Sequence, residues 1–296
     1  MRIACFGCTG LIGQPLVAAL QGADHEVTVF ARTPSRATQV FPAGTTVLAW
    51  AGDGPVEHPG GSFDAAINLI GENLAAKRWS TSRKATLVSS RIDTTTLIAR
   101  WAGESETHLV NASAVGFYGQ RDEACGENAT AGSGFLADLC RDWEAAAAAV
   151  DGACLLRFGA VLAAGGGALG EMVRPLMPLA RLGHGRQPFP WIHVDDAVGM
   201  IVTALGDRAW SGPVNAVSGT PIDHRTFMHA LATATGKPLM PMSVPGWALR
   251  LMLGEMATML LTGAPVLPQR ATELGYAWKH GDVSQALGAI FGTETL

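Results

Sequence analysis

Short apolar runs alternate, through the first two thirds of the chain, with stretches whose apolar positions recur every third or fourth residue. The runs at residues 3–6, 27–30, 65–69, 108–111 and 153–157 predict β-strands, and the stretches at 15–20, 80–101 and 135–150 predict helices. Pro15 falls in the first turn of the first helix, where its missing N–H removes no intrahelical bond. Strands that alternate with helices need parallel crossovers. The pattern therefore predicts an α/β fold, a doubly wound parallel sheet with helices on both faces.

Beyond residue 160 the rhythm changes. "AAGGGALGEM" is a glycine run and "RPLMPLARLGHGRQPFP" is rich in Pro and Gly. "IHVDDAVGMIVTAL" then returns to a strand followed by a helix, with Asp195 or Asp196 as the expected N-cap. From Pro221 the chain reads as mostly helical; "DHRTFMHALATATG" closes on Gly236 as a C′ glycine, and two further helices are expected after it.

The first strand runs into "GCTGLIG", where Gly7, Gly10 and Gly13 precede a helical pattern. Glycines in such a loop permit positive φ and let backbone N–H groups approach a pyrophosphate at the positive end of the following helix. A strand before it and a helix after it, at the head of a βαβ unit, give the motif its Rossmann context. Folds that bind NAD place Asp or Glu roughly 20 residues further on, to hold the ribose 2′-hydroxyl. Here "VTVFARTPSR" supplies Arg32 and Arg36 and no acid. A guanidinium pairs with a 2′-phosphate that an acid would repel, so NADP(H) is the expected cofactor. The organisation predicted is an NADP-binding Rossmann domain over 1–220, with a substrate-lobe insertion near 165–190, and a smaller, mostly helical C-terminal lobe over 221–296.

Composition narrows the function classes. With 296 residues, 48% hydrophobic and 16% charged, the chain has material for a full core. A formal net charge of −4 gives no basic excess, so nucleic acid is not an expected partner. Cys5 and Cys8 form a C-x-x-C, but one falls in a strand and the other in the glycine turn. No second Cys/His pair follows at zinc spacing, so the five cysteines read as buried thiols in a reducing compartment and no metal is expected. The N-terminal apolar run is broken by glycines, unlike a signal peptide. "GWALRLMLGEMATMLLTG" carries Arg250 and Glu255 mid-segment and reads as a core or interface helix, not a membrane span. It would serve an intrachain core or a homodimer contact equally well. Cytoplasm, with no membrane partner, is the expected location.

With these residues placed, the chain resembles the extended short-chain dehydrogenase/reductase superfamily, and within it the atypical epimerase-family group with a C-terminal domain of uncertain role. The resemblance rests on "GCTGLIG", "NLIGENLAAKRWSTSRK", "SSRIDTTTLI", "SAVGFYG", "FLADLCRDWEAAA", "LRFGAVLAAGGGAL", "GRQPFPWIHVDDAV" and "LGEMATMLLTGAPVLPQRATELGY", in family order nearly to the C-terminus. It implies cofactor contacts from Gly7, Thr9, Gly10, Leu11, Ile12, Gly13 and Arg32, and from Asn68, Leu69 and Ile70 at the end of the fourth strand. It implies that Arg157 and the residues after it close over the nicotinamide. Ser113 matches the serine that hydrogen-bonds the reacting carbonyl or hydroxyl.

One departure matters. Members that transfer hydride use a Tyr and a Lys four residues apart, the lysine lowering the phenol's pKa for proton exchange. The corresponding helix reads "FLADLC" from Phe135, with neither residue in either register, and the chain's two tyrosines are Tyr118 and Tyr276. Tyr118, five residues after Ser113, is the substitute candidate, for catalysis, substrate contact or packing. Lys77 and Lys84 are candidates for the cleft or for the surface. On the substrate side, "GHGRQPFPWIHVDD" brings Arg186 as a clamp for phosphate or carboxylate and Trp191 as a stacking surface. His193 is either a substrate contact or a structural histidine, Gln187 lies between them, and Arg78 and Arg83 would add charge from the other wall. Asp195 and Asp196 resemble a metal pair with no neighbouring His or Glu to complete it, so capping explains them better. Two functions follow. One is an NADP(H)-dependent oxidoreductase or nucleotide-sugar-epimerase-like enzyme on a small polar substrate; the other is a non-catalytic NADP(H)-sensing regulator or scaffold.

Overall fold

The computed structural model describes residues 1–57, 61–174 and 177–292; residues 175 and 176 of the expected insertion lie outside them. The first half runs β1 (Arg2–Phe6), α1 (Gly13–Gly22), β2 (Glu26–Ala31), α2 (Pro34–Ala37), β3 (Thr46–Ala49), β4 (Ala65–Asn68), α3 (Thr81–Glu104) and β5 (His108–Ala114). Then come α4 (Phe135–Ala147), β6 (Cys154–Phe158), β7 (Ala160–Leu162), α5 (Gly167–Met172), β8 (Trp191–His193), α6 (Val194–Gly206) and β9 (Gly212–Ala216). The C-terminal part holds α7 (His224–Thr235), α8 (Gly246–Leu253), α9 (Thr258–Leu261), α10 (Gln269–Glu273) and α11 (Val283–Phe291).

Seven strands form one parallel sheet in the order β3-β2-β1-β4-β5-β6-β9, the doubly wound arrangement expected. The chain winds outward from β1 to β3, crosses back, and winds the other way from β4. The resulting switch point lies between β1 and β4, where Phe6 pairs with Asn68 at the carboxyl ends of both strands. Ligands of such sheets bind in the crevice outside that point.

Both faces of the sheet are covered, so its central strands read as continuous apolar runs. One face packs Val29, Ile67 and Leu156 against Leu16, Leu20 and Ile201 of α1 and α6. The other carries an aromatic group in which Phe6 stacks on Phe30 at 4.6 Å and meets Trp50 edge-on at 5.2 Å. A third apolar cluster builds the smaller lobe from two separate stretches, joining Leu162, Leu169 and Trp191 to Phe227, Leu231 and Leu287. The fully buried rings and aliphatic chains there each contribute roughly 1.5–3 kcal/mol by leaving water.

Three local expectations change. β3 was not foreseen, because only its middle residues are partly shielded and its outer ones are exposed. The apolar segment from Gly246 is not one helix. Gly254, at φ +63°, turns the chain into a 3-10 turn between α8 and α9, and four helices follow α7 where two were expected. The N-cap of α6 is His193, whose Nδ1 accepts from the Asp195 N–H at 3.1 Å, in place of either aspartate. Gly236 does close α7 in the left-handed region, at φ +64°.

Candidate functional site

The loop after β1 is shaped by its glycines. Gly7 holds φ +73°, and a Cβ there would lie 2.6 Å from the Ile70 backbone nitrogen, so the β1 and β4 loops touch through a position only glycine fits. A Cβ on Gly13 would lie 2.2 Å from the Cys8 Cα, which fixes how closely α1 approaches the loop. Gly10 differs: the nearest atom to its Cβ position is 3.7 Å away. The first bonds of α1 run from the Gln14 N–H to the Gly10 carbonyl and from the Leu16 N–H to the Ile12 carbonyl. Amides ahead of Gln14 are thus the ones a helix start offers to an anion.

Gly7 and Gly10 floor a cleft of about 660 Å³ whose walls include Thr9, Arg32, Arg36, Trp50, Leu69 and Ile70. Arg32 extends from the end of β2 with 78% of its side chain exposed, and its Nη1 is 4.0 Å from Glu72 Oε1. Glu72 is held more firmly by Arg83, whose Nη1 donates to Oε2 at 3.1 Å. Arg32 is therefore loosely tethered at the cleft mouth. Leu11 and Ile12 lie in the loop itself, partly exposed. Asn68 is fully buried: its amide donates to Asn111 Oδ1 at 2.7 Å and Thr95 Oγ1 at 2.8 Å, while its Oδ1 accepts from the Ile70 N–H. Its side chain shapes the wall from behind, in place of the direct contact expected.

At the carboxyl ends of β5 and β6 the expected catalytic residues, Ser113 in the strand and Tyr118 just beyond it, are tied together inside the protein. The Ser113 hydroxyl donates to Glu144 Oε1 at 2.6 Å. Arg157 grips the same carboxylate with two nitrogens, Nε to Oε1 at 2.8 Å and Nη2 to Oε2 at 2.7 Å. Arg157 Nη1 donates to the Tyr118 oxygen, whose hydroxyl donates to Asn215 Oδ1 at 2.7 Å. Ser113 and Arg157 are each 3% exposed and Tyr118 is fully buried. Burial pushes the Tyr118 phenol up, only partly offset by Arg157 and Asn215, the opposite of what a general acid near neutral pH needs. Arg157 lies under the Phe117 ring at 3.6 Å, not over the cleft as expected. Burial works against its charge, but Glu144 and Tyr118 together outweigh burial and hold the guanidinium above its usual range.

At the start of α4, Phe135 occupies one register of the usual tyrosine. Trp79 meets it edge-on at 5.2 Å, and Lys84, in the first turn of α3, stands 4.8 Å from its ring centre. Lys84 Nζ donates to Glu255 Oε2 at 2.5 Å, which ties the C-terminal segment to the Rossmann half. Lys77, Arg78 and Arg186 are exposed. Trp191 is 1% exposed within the smaller lobe, so the expected stacking surface is a core residue.

The sequence reading of the Asp195 region needs a further correction. His280 arrives from the far end of the chain with Nε2 3.4 Å from Asp195 Oδ2, and His193 Nδ1 is 3.7 Å from the same oxygen. The three side chains form a group with metal-ligand chemistry that the local spacing did not reveal. His193 Nδ1, however, already accepts the Asp195 amide, so the site is not a ready set of three donors. Burial and then the neighbouring His280 hold His193 below its usual pKa. Asp196, fully buried, accepts from the backbone N–H groups of Lys279 and His280 and from the Tyr276 hydroxyl.

Glu72 and Glu144 were not singled out from the sequence, and Glu255 enters there only as a charge that argues against a membrane span. Glu144 was findable: it shares the inner face of α4 with Cys140, and a buried acid there requires a cation such as Arg157.

The sheet, its switch-point cleft and the glycine loop define a Rossmann-type dinucleotide-binding protein. The model of the NAD dependent epimerase/dehydratase family matches residues 3–215, and that of a domain of unknown function, DUF1731, matches residues 244–290. The chain belongs to the NAD dependent epimerase/dehydratase family. Epimerase family protein Mb2239 of Mycobacterium bovis is 39% identical over 298 residues, covering 97% of this chain and 96% of its own. The human epimerase family protein SDR39U1 is 31% identical over 303 residues, covering 98% and 99%. A crystal structure of human SDR39U1 (isoform 2) with NADPH superposes with a TM-score of 0.87, at 29% identity, over 99% of this chain and 100% of that one. A nucleoside-diphosphate sugar epimerase from Corynebacterium glutamicum gives 0.79 at 28% identity, over all of this chain and 59% of that one.

Proposed function

We propose that this chain binds NADP(H) in the switch-point cleft and uses it in hydride exchange with a small polar substrate. The carrying observation is the pairing of an open Gly10 cradle with Arg32, an exposed guanidinium at the end of β2 where an NAD-selective fold has an acid. The NADPH in the human SDR39U1 crystal structure supports the same choice. When bound, the nicotinamide supplies the hydride. Amides at the head of α1 would hold the diphosphate, with Arg32 and Arg36 on the 2′-phosphate. Lys84, whose Nζ stands 4.8 Å from the Phe135 ring centre and is bound to Glu255, is the candidate to hold or move a proton at that position. The five free, buried cysteines fit a reducing compartment such as the cytoplasm.

A second reading, an NADP(H) sensor without turnover, is favoured by the internal ties of Ser113 and Tyr118. Titration of NADPH and NADH into the protein, then incubation with NADPH and a panel of aldehydes, ketones and nucleotide sugars, separates the cases. We expect NADPH to bind more tightly, and Arg32→Asp to weaken NADPH by roughly tenfold or more with little change in NADH. Equal losses would defeat the 2′-phosphate assignment. Binding without turnover across the panel would leave the sensor.

A further inference from the structure

Two stretches of the smaller lobe contain basic residues and no acids at all. Residues 172–194 carry Arg174, Arg181 and Arg186, and residues 224–254 carry Arg225, Lys237 and Arg250, in a chain whose formal net charge is −4. The fold stitches these stretches together. Leu179 pairs with Leu239 and Leu182 with Val244, and the Val244 N–H donates to the Arg181 carbonyl. Arg174 is taken up by Glu171, and Lys237 Nζ donates to the carbonyls of Arg174 and Met177. Among the described residues, no carboxylate lies within ion-pair distance of Arg181, Arg186, Arg225 or Arg250.

Between them lies a pocket of about 450 Å³ lined by Arg181, His184, Arg225, Pro241, Met242 and Ser243. Met242 is 76% exposed, and α8 begins four residues later. That helix buries Leu249 and turns Trp247 (69% exposed), Leu251 (73%) and Met252 (66%) to solvent. Trp247 and Leu251 are one turn apart on a single face, and Arg250 stands beside them. Arg181 Nη2 donates to the Pro241 carbonyl, so Arg181 is held in place at the pocket without an ion pair. Large apolar side chains exposed together, next to such guanidinium groups, mark an interaction surface.

From this juxtaposition we infer that α8 and the Arg181–Arg225 pocket form a peripheral docking surface for an anionic phospholipid bilayer. Phosphate headgroups enter the basic pocket, and Trp247, Leu251, Met252 and Met242 sink to the level of the acyl boundary. Charge selects this occupant. A two-fold contact with a second copy would press the same arginines, none in an ion pair, against themselves. Trp247 and Leu251 exposed beside Arg250 suit a membrane interface, where apolar side chains insert and guanidinium groups meet headgroups, and basic clusters add attraction to anionic lipid. No described helix is long and apolar enough to cross a membrane, so the association proposed is at the surface.

Co-sedimentation of the full chain with vesicles tests it. One set is phosphatidylcholine alone, the other equimolar phosphatidylcholine and phosphatidylserine. The expected result is sedimentation with the mixed vesicles only, reversed by high salt. Arg225→Gln and Arg250→Gln are each expected to weaken it about fivefold, and Trp247→Ala by roughly tenfold or more. NADPH affinity, measured on the same variants, is expected to stay at the wild-type value and reports that each is folded. Failure of the wild type to sediment, or equal sedimentation with both vesicle types, overturns the proposal. So does capture on soluble polyglutamate without vesicle binding, which would assign the patch to an acidic polypeptide, or a Trp247-dependent dimer in solution.

Discussion

The two halves of the sheet's carboxyl edge are built in opposite ways. At β1 and β4 the protein presents backbone: glycines hold the loops in contact, the head of α1 faces the crevice, and Arg32, just past β2, is largely solvated. At β5 and β6 it presents side chains, and they are engaged with one another. Ser113, Glu144, Arg157, Tyr118 and Asn215 form a chain of hydrogen bonds with almost no exposed surface. The first region is poised for a ligand; the second is closed by its own polar groups. The hydrogen bonds of Ser113 and Arg157 at the β5 and β6 ends run to other protein groups.

The strongest test of that contrast is Glu144→Gln. A buried ion pair contributes modest net stability because desolvation offsets attraction, but removing one partner leaves the other charge uncompensated. Glu144 and Arg157 side chains are only 9% and 4% exposed. Loss of the carboxylate is expected to cost about 3–5 kcal/mol in urea unfolding. A loss below about 1 kcal/mol, comparable to a surface pair, would show that water reaches the cluster and that Ser113 is open to a substrate.

The difference between the regions also explains what could be read from the sequence. A loop shaped by backbone leaves a spacing signature, so the turn of Gly7, Gly10 and Gly13 between β1 and α1, and the position of Arg32 after β2, were legible, as were five strands of the sheet to within a few residues. Side-chain networks leave none. Glu144 lies 31 residues from Ser113, and Asn215 lies 97 from Tyr118. His280 reaches Asp195 across 85 residues. Trp191 was misplaced for a related reason: an aromatic residue in a Pro-rich loop reads as a ligand contact until the lobe that buries it is known. The break at Gly254 was missed because its apolar neighbours suit a helix, and only the backbone reveals the left-handed turn.

Within the cradle itself, two alanine substitutions separate fold from ligand. Gly13→Ala places a Cβ 2.2 Å from the Cys8 Cα, so backbone must move, and about 1–3 kcal/mol of stability should be lost along with cofactor affinity. Gly10→Ala meets nothing closer than 3.7 Å and needs no unusual backbone angle. It should leave the unfolding midpoint unchanged while NADPH affinity falls by roughly tenfold or more, because close approach of backbone to the pyrophosphate is lost. Intact NADPH affinity in Gly10→Ala would mean that the diphosphate does not lie on this turn.

The smallest effect is expected at Ser113, and it bears most directly on the contrast. If the hydroxyl serves Glu144, Ser113→Ala removes one hydrogen bond from a carboxylate that keeps both Arg157 contacts, at a cost of about 1 kcal/mol. NADPH affinity should be untouched, and so should any turnover found in the substrate panel. A serine that bonds the reacting oxygen behaves differently, since its loss lowers kcat by a far larger factor than it lowers stability. Paired measurements of unfolding and turnover on this variant therefore decide whether the β5 edge has been given over to the scaffold or still opens to substrate.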